Sequence, residues 1–201
     1  MRMAKTRMLT VFAVAAVGLT VLAAGAQASS QLRFNGGSTR LVVNPAVLPV
    51  LSSAGVSLAP VAPATAGAAR WDGQDTIAAN FPIKGGHVNG TTLAGVINHT
   101  GGLTFSKGNK SLTVGLFRIT ISKRAYLSGA VNLDPSVRVP LLRLDLSHAK
   151  VTASGHWVTV SRVRAYLTKT AADALNATLG THVFAAGLKL GVARVHAHLA
   201  S

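Results

Sequence analysis

An antiparallel β-sandwich with two short peripheral helices is the fold this sequence predicts, on three observations. Apolar and polar residues alternate with period two in run after run, most clearly where Leu142, Leu144 and Leu146 point one way and Arg143 and Asp145 the other. Tight-turn dipeptides, Asn89-Gly90 and Gly108-Asn109, separate such runs. Paired helix start and stop signals occur at two places, one near each end of this pattern.

In chain order, residues 39–44 alternate as a strand, and Asn44-Pro45 then offers a cap followed by proline at a first helical position. A helix over 46–54 stops at Gly55. Residues 56–69 are rich in Ala and Pro and, with Trp71-Asp72-Gly73, read as an extended connection over the surface. Strands follow at 83–87, 92–98, 102–106, 111–121, 125–133, 137–147 and 156–167. Breaks of phase at Pro140-Leu141-Leu142 and Ser161-Arg162 predict bulges or bends on edge strands. Thr168 or Thr170 caps a helix over 171–179 that Gly180 ends, and 183–199 returns as extended chain. Such strands bury one face and wet the other, as antiparallel sandwiches and barrels do.

The first 28 residues read differently. Arg2, Lys5 and Arg7 form a basic head, residues 8–25 carry no charge, and Ala26-Gln27-Ala28 is a small-x-small cleavage site. This predicts a signal peptide over 1–28 and a single β-rich domain over 29–201, secreted or associated with the cell envelope, with no transmembrane segment once the leader is removed. Outside the cytoplasm ATP and reduced nicotinamide are scarce, which argues against most cofactor-driven chemistry. The chain has no cysteine, so neither a lipid-modified cysteine nor a disulfide framework is available, and core burial must hold the fold.

Charge is lopsided. Three of the 20 Lys and Arg lie in the leader, leaving 17 against five Asp and no Glu. Such a surface attracts polyanions, so the expected partners are an anionic cell-wall polymer or an envelope protein. The bases are spread with no run longer than Lys123-Arg124, which gives no arm or helix for specific nucleic-acid binding.

Catalytic signatures are missing. There is no Gly-x-Ser-x-Gly elbow, His-Glu-x-x-His, phosphate-binding glycine loop or cysteine nucleophile, and a chain without Glu has few carboxylates for acid–base work. The reading is therefore no enzyme and no catalytic residue. His196 and His198 share a strand face with Arg194, but a third ligand is lacking and the arginine repels a cation, so no metal site is assigned. Trp71 and Trp157 read as core anchors.

Residues 95–131 carry a resemblance. Gly95-Val96-Ile97, then His99-Thr100-Gly101-Gly102-Leu103, then Phe117 and Ile119-Thr120-Ile121 are similar to the core of HtaA-type domains. Leu167-Thr168, the 171–176 segment and Phe184-Ala185-Ala186-Gly187 resemble that family's closing strand–helix–strand. The likeness spans about the last 120 residues, so the domain divides into a strand–helix and Ala/Pro-rich portion at 29–82 and an HtaA-like core at 83–201. HtaA-type domains are exported β-rich modules of actinobacteria, several of which bind haem through a tyrosine supported by a histidine. The resemblance puts His99 in the supporting position; Tyr126 and Tyr166 match no motif of the family but, as the two tyrosines of the chain, are the candidates for the ligand-binding tyrosine. Where the family has Tyr-x-x-Gly, this chain has Phe184, which cannot ligate iron. Two functions follow: an exported non-enzymatic binding or envelope surface module, or a binder of haem or another hydrophobic ligand.

Overall fold

A computed structural model describes residues 31–201, and the leader read over residues 1–28 lies outside them. Strand β1 (Gln31–Val43) leads into helix α1 (Val47–Ser53), and β2 (Ser57–Val61) and β3 (Thr65–Trp71) follow. The long β4 (Gln74–Asn89) precedes β5 (Gly95–His99), β6 (Gly102–Lys107), β7 (Lys110–Ile121), β8 (Tyr126–Val131) and β9 (Asp134–Asp145). Then come β10 (Lys150–Ser154), β11 (Trp157–Leu167), helix α2 (Lys169–Leu179) and β12 (Lys189–Leu199).

The fold is mainly β, as the alternation predicts, but the layers differ from prediction. Strands β7, β5, β4, β1, β12, β11, β9 and β8 pair in that order, and β8 then pairs with β7, placing Val114 opposite Val131 and Thr120 opposite Tyr126. An eight-stranded antiparallel barrel closes where a two-layered sandwich was expected. The physical reason is that alternation demands one buried face without saying whether two sheets or one cylinder provides it. Strand curvature decides between them. Residues at positive φ, Leu116 on β7 and Arg162 on β11, sit in bulges that bend their strands.

The predicted phase breaks are present. Leu127 pairs with Leu142 but Ser128 with Pro140, and Val160 and Val163 of β11 pair with Val195 and Ala193 across the Arg162 bulge. Both lie within the closed ring and not on edge strands. Residues 56–69, read as a connection, instead include β2 and much of β3. Strand β2 is an edge strand, where Pro60 opposite Leu103 is tolerated because no further strand needs its missing N–H. The solvent-exposed β10 was not anticipated, since it carries no buried face to read.

Both helices form where expected. Thr168 caps α2, accepting a hydrogen bond from the Ala171 amide, and Gly180 ends the helix in the left-handed region. Helix α2 lies across one end of the barrel with Ala171, Ala172, Leu175 and Leu179 buried. Helix α1 starts at Val47, with the Asn44 side chain accepting from the Ala46 amide, and buries Val47 and Leu51. Among the described residues no helix is long and apolar enough to cross a membrane.

Candidate functional site

The inward positions of the barrel strands differ in size around the ring. Strands β1, β4 and β7 bring Phe34, Phe81 and Phe117 inward, with Phe81 and Phe117 meeting edge to face at 5.0 Å. Strands β11 and β12 bring Ala165, Ala193 and Ala197. An eight-stranded barrel is just wide enough for its own side chains to fill. Alanine at these three positions, among the valines and leucines that also face inward from β11 and β12, leaves space.

That space is a cavity of about 600 Å³, within the ~300–1,000 Å³ usual for ligand pockets. Ala171, Ala174, Leu175 and Thr178 of α2 line its floor. Leu93, Leu146, Ser147, Ala149 and Val151 line it at the opposite end, where the 90–94, 122–125 and 146–149 connections gather. Thr39, Ser147 and Thr178 supply the polar side chains of the lining, and the rest are aliphatic, alanine or phenylalanine. Among the described residues no buried side-chain nitrogen or oxygen lacks a hydrogen-bond partner. Thr39 is committed to His99, which leaves the hydroxyls of Ser147 and Thr178, at opposite ends of the lining, to meet a polar solute against a wall that otherwise holds an apolar one.

The three candidate ligand-binding residues do not gather there. His99 is buried on the inner side of the barrel, two residues on from lumen-lining Ile97, with both ring nitrogens engaged. Nε2 lies 2.7 Å from Thr39 Oγ1 and Nδ1 3.3 Å from the Phe117 carbonyl oxygen. Burial pushes its pKa down from 6.5 to about 4. Tyr126 and Tyr166 instead pair with Arg143 from its two sides, on the outer face of the barrel. The Arg143 guanidinium stands 4.5 Å from the Tyr166 ring centre, a cation–π contact, and Tyr126 is exposed.

Outside the barrel, His196 and His198 share a face as their spacing requires. Trp157 is not the core anchor expected: it is exposed, stacks on His196 at 4.3 Å and meets His198 edge-on at 4.8 Å. Among the described residues no three His or Asp side chains gather closely enough to hold a metal ion. Sequence reading missed the lumen itself. A signal for it was Ala193-Arg194-Val195-His196-Ala197, a strand whose inward positions are unusually small.

No protein-family model and no curated protein matches the chain. Solved structures do match. The C-terminal domain of HtaA from Corynebacterium glutamicum is similar at a TM-score of 0.59 and 16% identity, covering 84% of this chain and 99% of that one. A histidine-to-alanine variant of the same domain, a domain-swapped dimer, is similar at a TM-score of 0.50 and 15% identity, covering 92% of this chain and 100% of that one. The chain shares the HtaA-type fold, and at this identity the likeness speaks for the fold.

Proposed function

We propose that this protein is an exported, non-enzymatic binding module that takes an apolar ligand into the barrel lumen. The observation that carries the reading is the apolar cavity of about 600 Å³, whose lining includes no charged side chain and, apart from Thr39, which is bonded to His99, no polar side chain but the hydroxyls of Ser147 and Thr178. The leader-like first 28 residues and the HtaA-type fold support export. The surplus of basic residues supports association with anionic envelope polymer around the site rather than in it.

Haem, which the family resemblance implies, does not fit the residues assigned to hold it. His99 has no free nitrogen, and Tyr126 and Tyr166 lie on the other side of the barrel wall from the lumen. Phe184, at the position of the family's tyrosine, is buried against Phe105. A ligand held by burial alone is the better match.

Titration of the purified protein with N-phenyl-1-naphthylamine, a neutral dye that brightens in apolar surroundings, tests this. Saturable one-to-one brightening is expected, and the A165L/A197L variant, which fills the lumen from β11 and β12, abolishes it while keeping the native circular dichroism spectrum. A flat titration, or brightening unchanged in that variant, overturns the reading. A hemin titration should give no saturable Soret band; one that disappears in His99→Ala would restore haem in place of the apolar ligand.

A further inference from the structure

Resting on that reading of the lumen, we infer that its ligand is a single-chain lipid with an anionic head group, the chain inside the barrel and the head at the end away from α2. Two features of that end carry the inference. The first is apolar. Leu93, Leu146 and Val151 line the cavity yet are 38, 36 and 46% exposed, so the apolar surface runs out to water where the lumen ends.

The second is charge. Bases alternate in sequence with the lining positions of this rim. Lys123 and Arg124 stand exposed between lumen-lining Ile121 and Ala125, and His148 and Lys150 stand exposed between Ser147, Ala149 and Val151. The connections at 90–94, 122–125 and 146–149 contain no acid. Asp145, the acid nearest them in sequence, accepts from the Ser147 amide at 2.9 Å and pairs with Arg164 at 3.8 Å. The other four acids belong to elements at the opposite end: Asp72 and Asp75 at the β3–β4 turn, Asp134 at the start of β9, and Asp173 on α2.

A cationic rim around an apolar tube selects an amphiphile of the opposite sign. The interior narrows the choice further. A polar ring system would bring heteroatoms needing partners that the wall between Ser147 and Thr178 does not supply, whereas an alkyl chain needs none. Carboxylate and phosphate heads share the required chemistry.

Competition against the bound dye separates the possibilities. Dodecanoate and dodecyl phosphate are compared, below their micelle concentrations, with dodecanol and dodecyltrimethylammonium. The two anions should displace the dye at concentrations about tenfold lower than dodecanol, the sum of a few partly exposed ion pairs, and the cation should be weakest. The K123Q/R124Q/K150Q variant, changed at exposed positions, should bring the anions to the level of dodecanol and leave dodecanol unchanged. Salt at about 1 M should narrow the gap in the same way. An advantage for one anion alone supports the inference and assigns the head. Equal displacement by all four overturns the head-group inference while the apolar site stands, and dye binding that none of the four displaces overturns the single-chain class. Failure of the dye itself to bind marks failure of the underlying reading.

Discussion

Thr39 and His99, 60 residues apart in the chain, meet at 2.7 Å through Oγ1 and Nε2 in the buried interior of the barrel. The Phe117 carbonyl oxygen lies 3.3 Å from the other ring nitrogen. A carbonyl only accepts, so Nδ1 carries a proton and donates to it. Burial lowers the pKa from 6.5 to about 4, so at neutral pH the imidazole is uncharged and Nε2 accepts from the Thr39 hydroxyl. His99 ties three strands, β1, β5 and β7, around the lumen.

Stability should depend on pH through this residue. Between pH 6.5 and about 4 the unfolded chain binds a proton on His99 that the folded chain refuses. Stability therefore falls as pH drops through that window, by on the order of 3 kcal/mol, and the contribution is complete below about pH 4. Urea midpoints at pH 7, 5 and 4 should show His99→Gln losing less between pH 7 and 4 than the wild type. Parallel losses in the two proteins would contradict the assignment.

Thr39→Val removes the hydroxyl and strands Nε2 without a donor inside the core. The expected cost is about 1–3 kcal/mol at neutral pH, and Thr39→Ser should recover most of it. Urea denaturation of the three proteins reads both outcomes.

Arg138 holds the β7 bulge from outside. Its guanidinium donates to the Leu116 carbonyl at 2.8 Å and to the Ser128 carbonyl at 3.3 Å, bridging β9, β8 and the positive-φ residue of β7. Arg138→Leu should destabilise by about 1–2 kcal/mol. Arg138→Lys should restore only part, because one ammonium cannot span both carbonyls as a fork does. A lysine variant as stable as the wild type would count against the bridge.

Thr168 acts on the floor of the lumen. Its hydroxyl accepts from the Ala171 amide at 3.1 Å and donates to the Pro140 carbonyl at 2.7 Å, capping α2 and fastening it to β9. Thr168→Ala should cost about 1–2 kcal/mol and speed hydrogen exchange in the first turn of α2 more than in the barrel strands.

Gly37 sits at φ +107 where β1 crosses β12, and an added Cβ would lie 2.1 Å from the His196 carbonyl oxygen and 2.9 Å from Ala197 Cα. Gly37→Ala should destabilise by more than about 2 kcal/mol. Gly67→Ala, with nothing within 4 Å of the new atom, is the control and should leave the thermal midpoint nearly unchanged.

Much of the secondary structure was legible. The 168–180 helix announced itself through its cap and its terminal glycine, and the bulges at Pro140 and Arg162 through a break in phase, because these signals are local; the bulge at Leu116 on β7 gave no such break. Residues 56–69 hid two edge strands, since their Ala- and Pro-rich composition lacks the β-branched pattern of a buried strand while an edge position still tolerates it. His99 was placed by resemblance alone. Its burial and its Thr39 partner come from strands that no sequence neighbourhood connects.

The sequence by itself determined which side chains face inward along clearly alternating strands such as β9, where two helices start and stop, and that a cysteine-free chain must be held by apolar burial. Tertiary structure alone decided that the sheet closes, with β8 reaching back to β7, and so decided that those inward faces surround a lumen instead of meeting across a sandwich. Period-two alternation fixes the side a residue takes. Strand number, register and bulge curvature fix the shape that side encloses, and these depend on pairings between residues far apart in the chain.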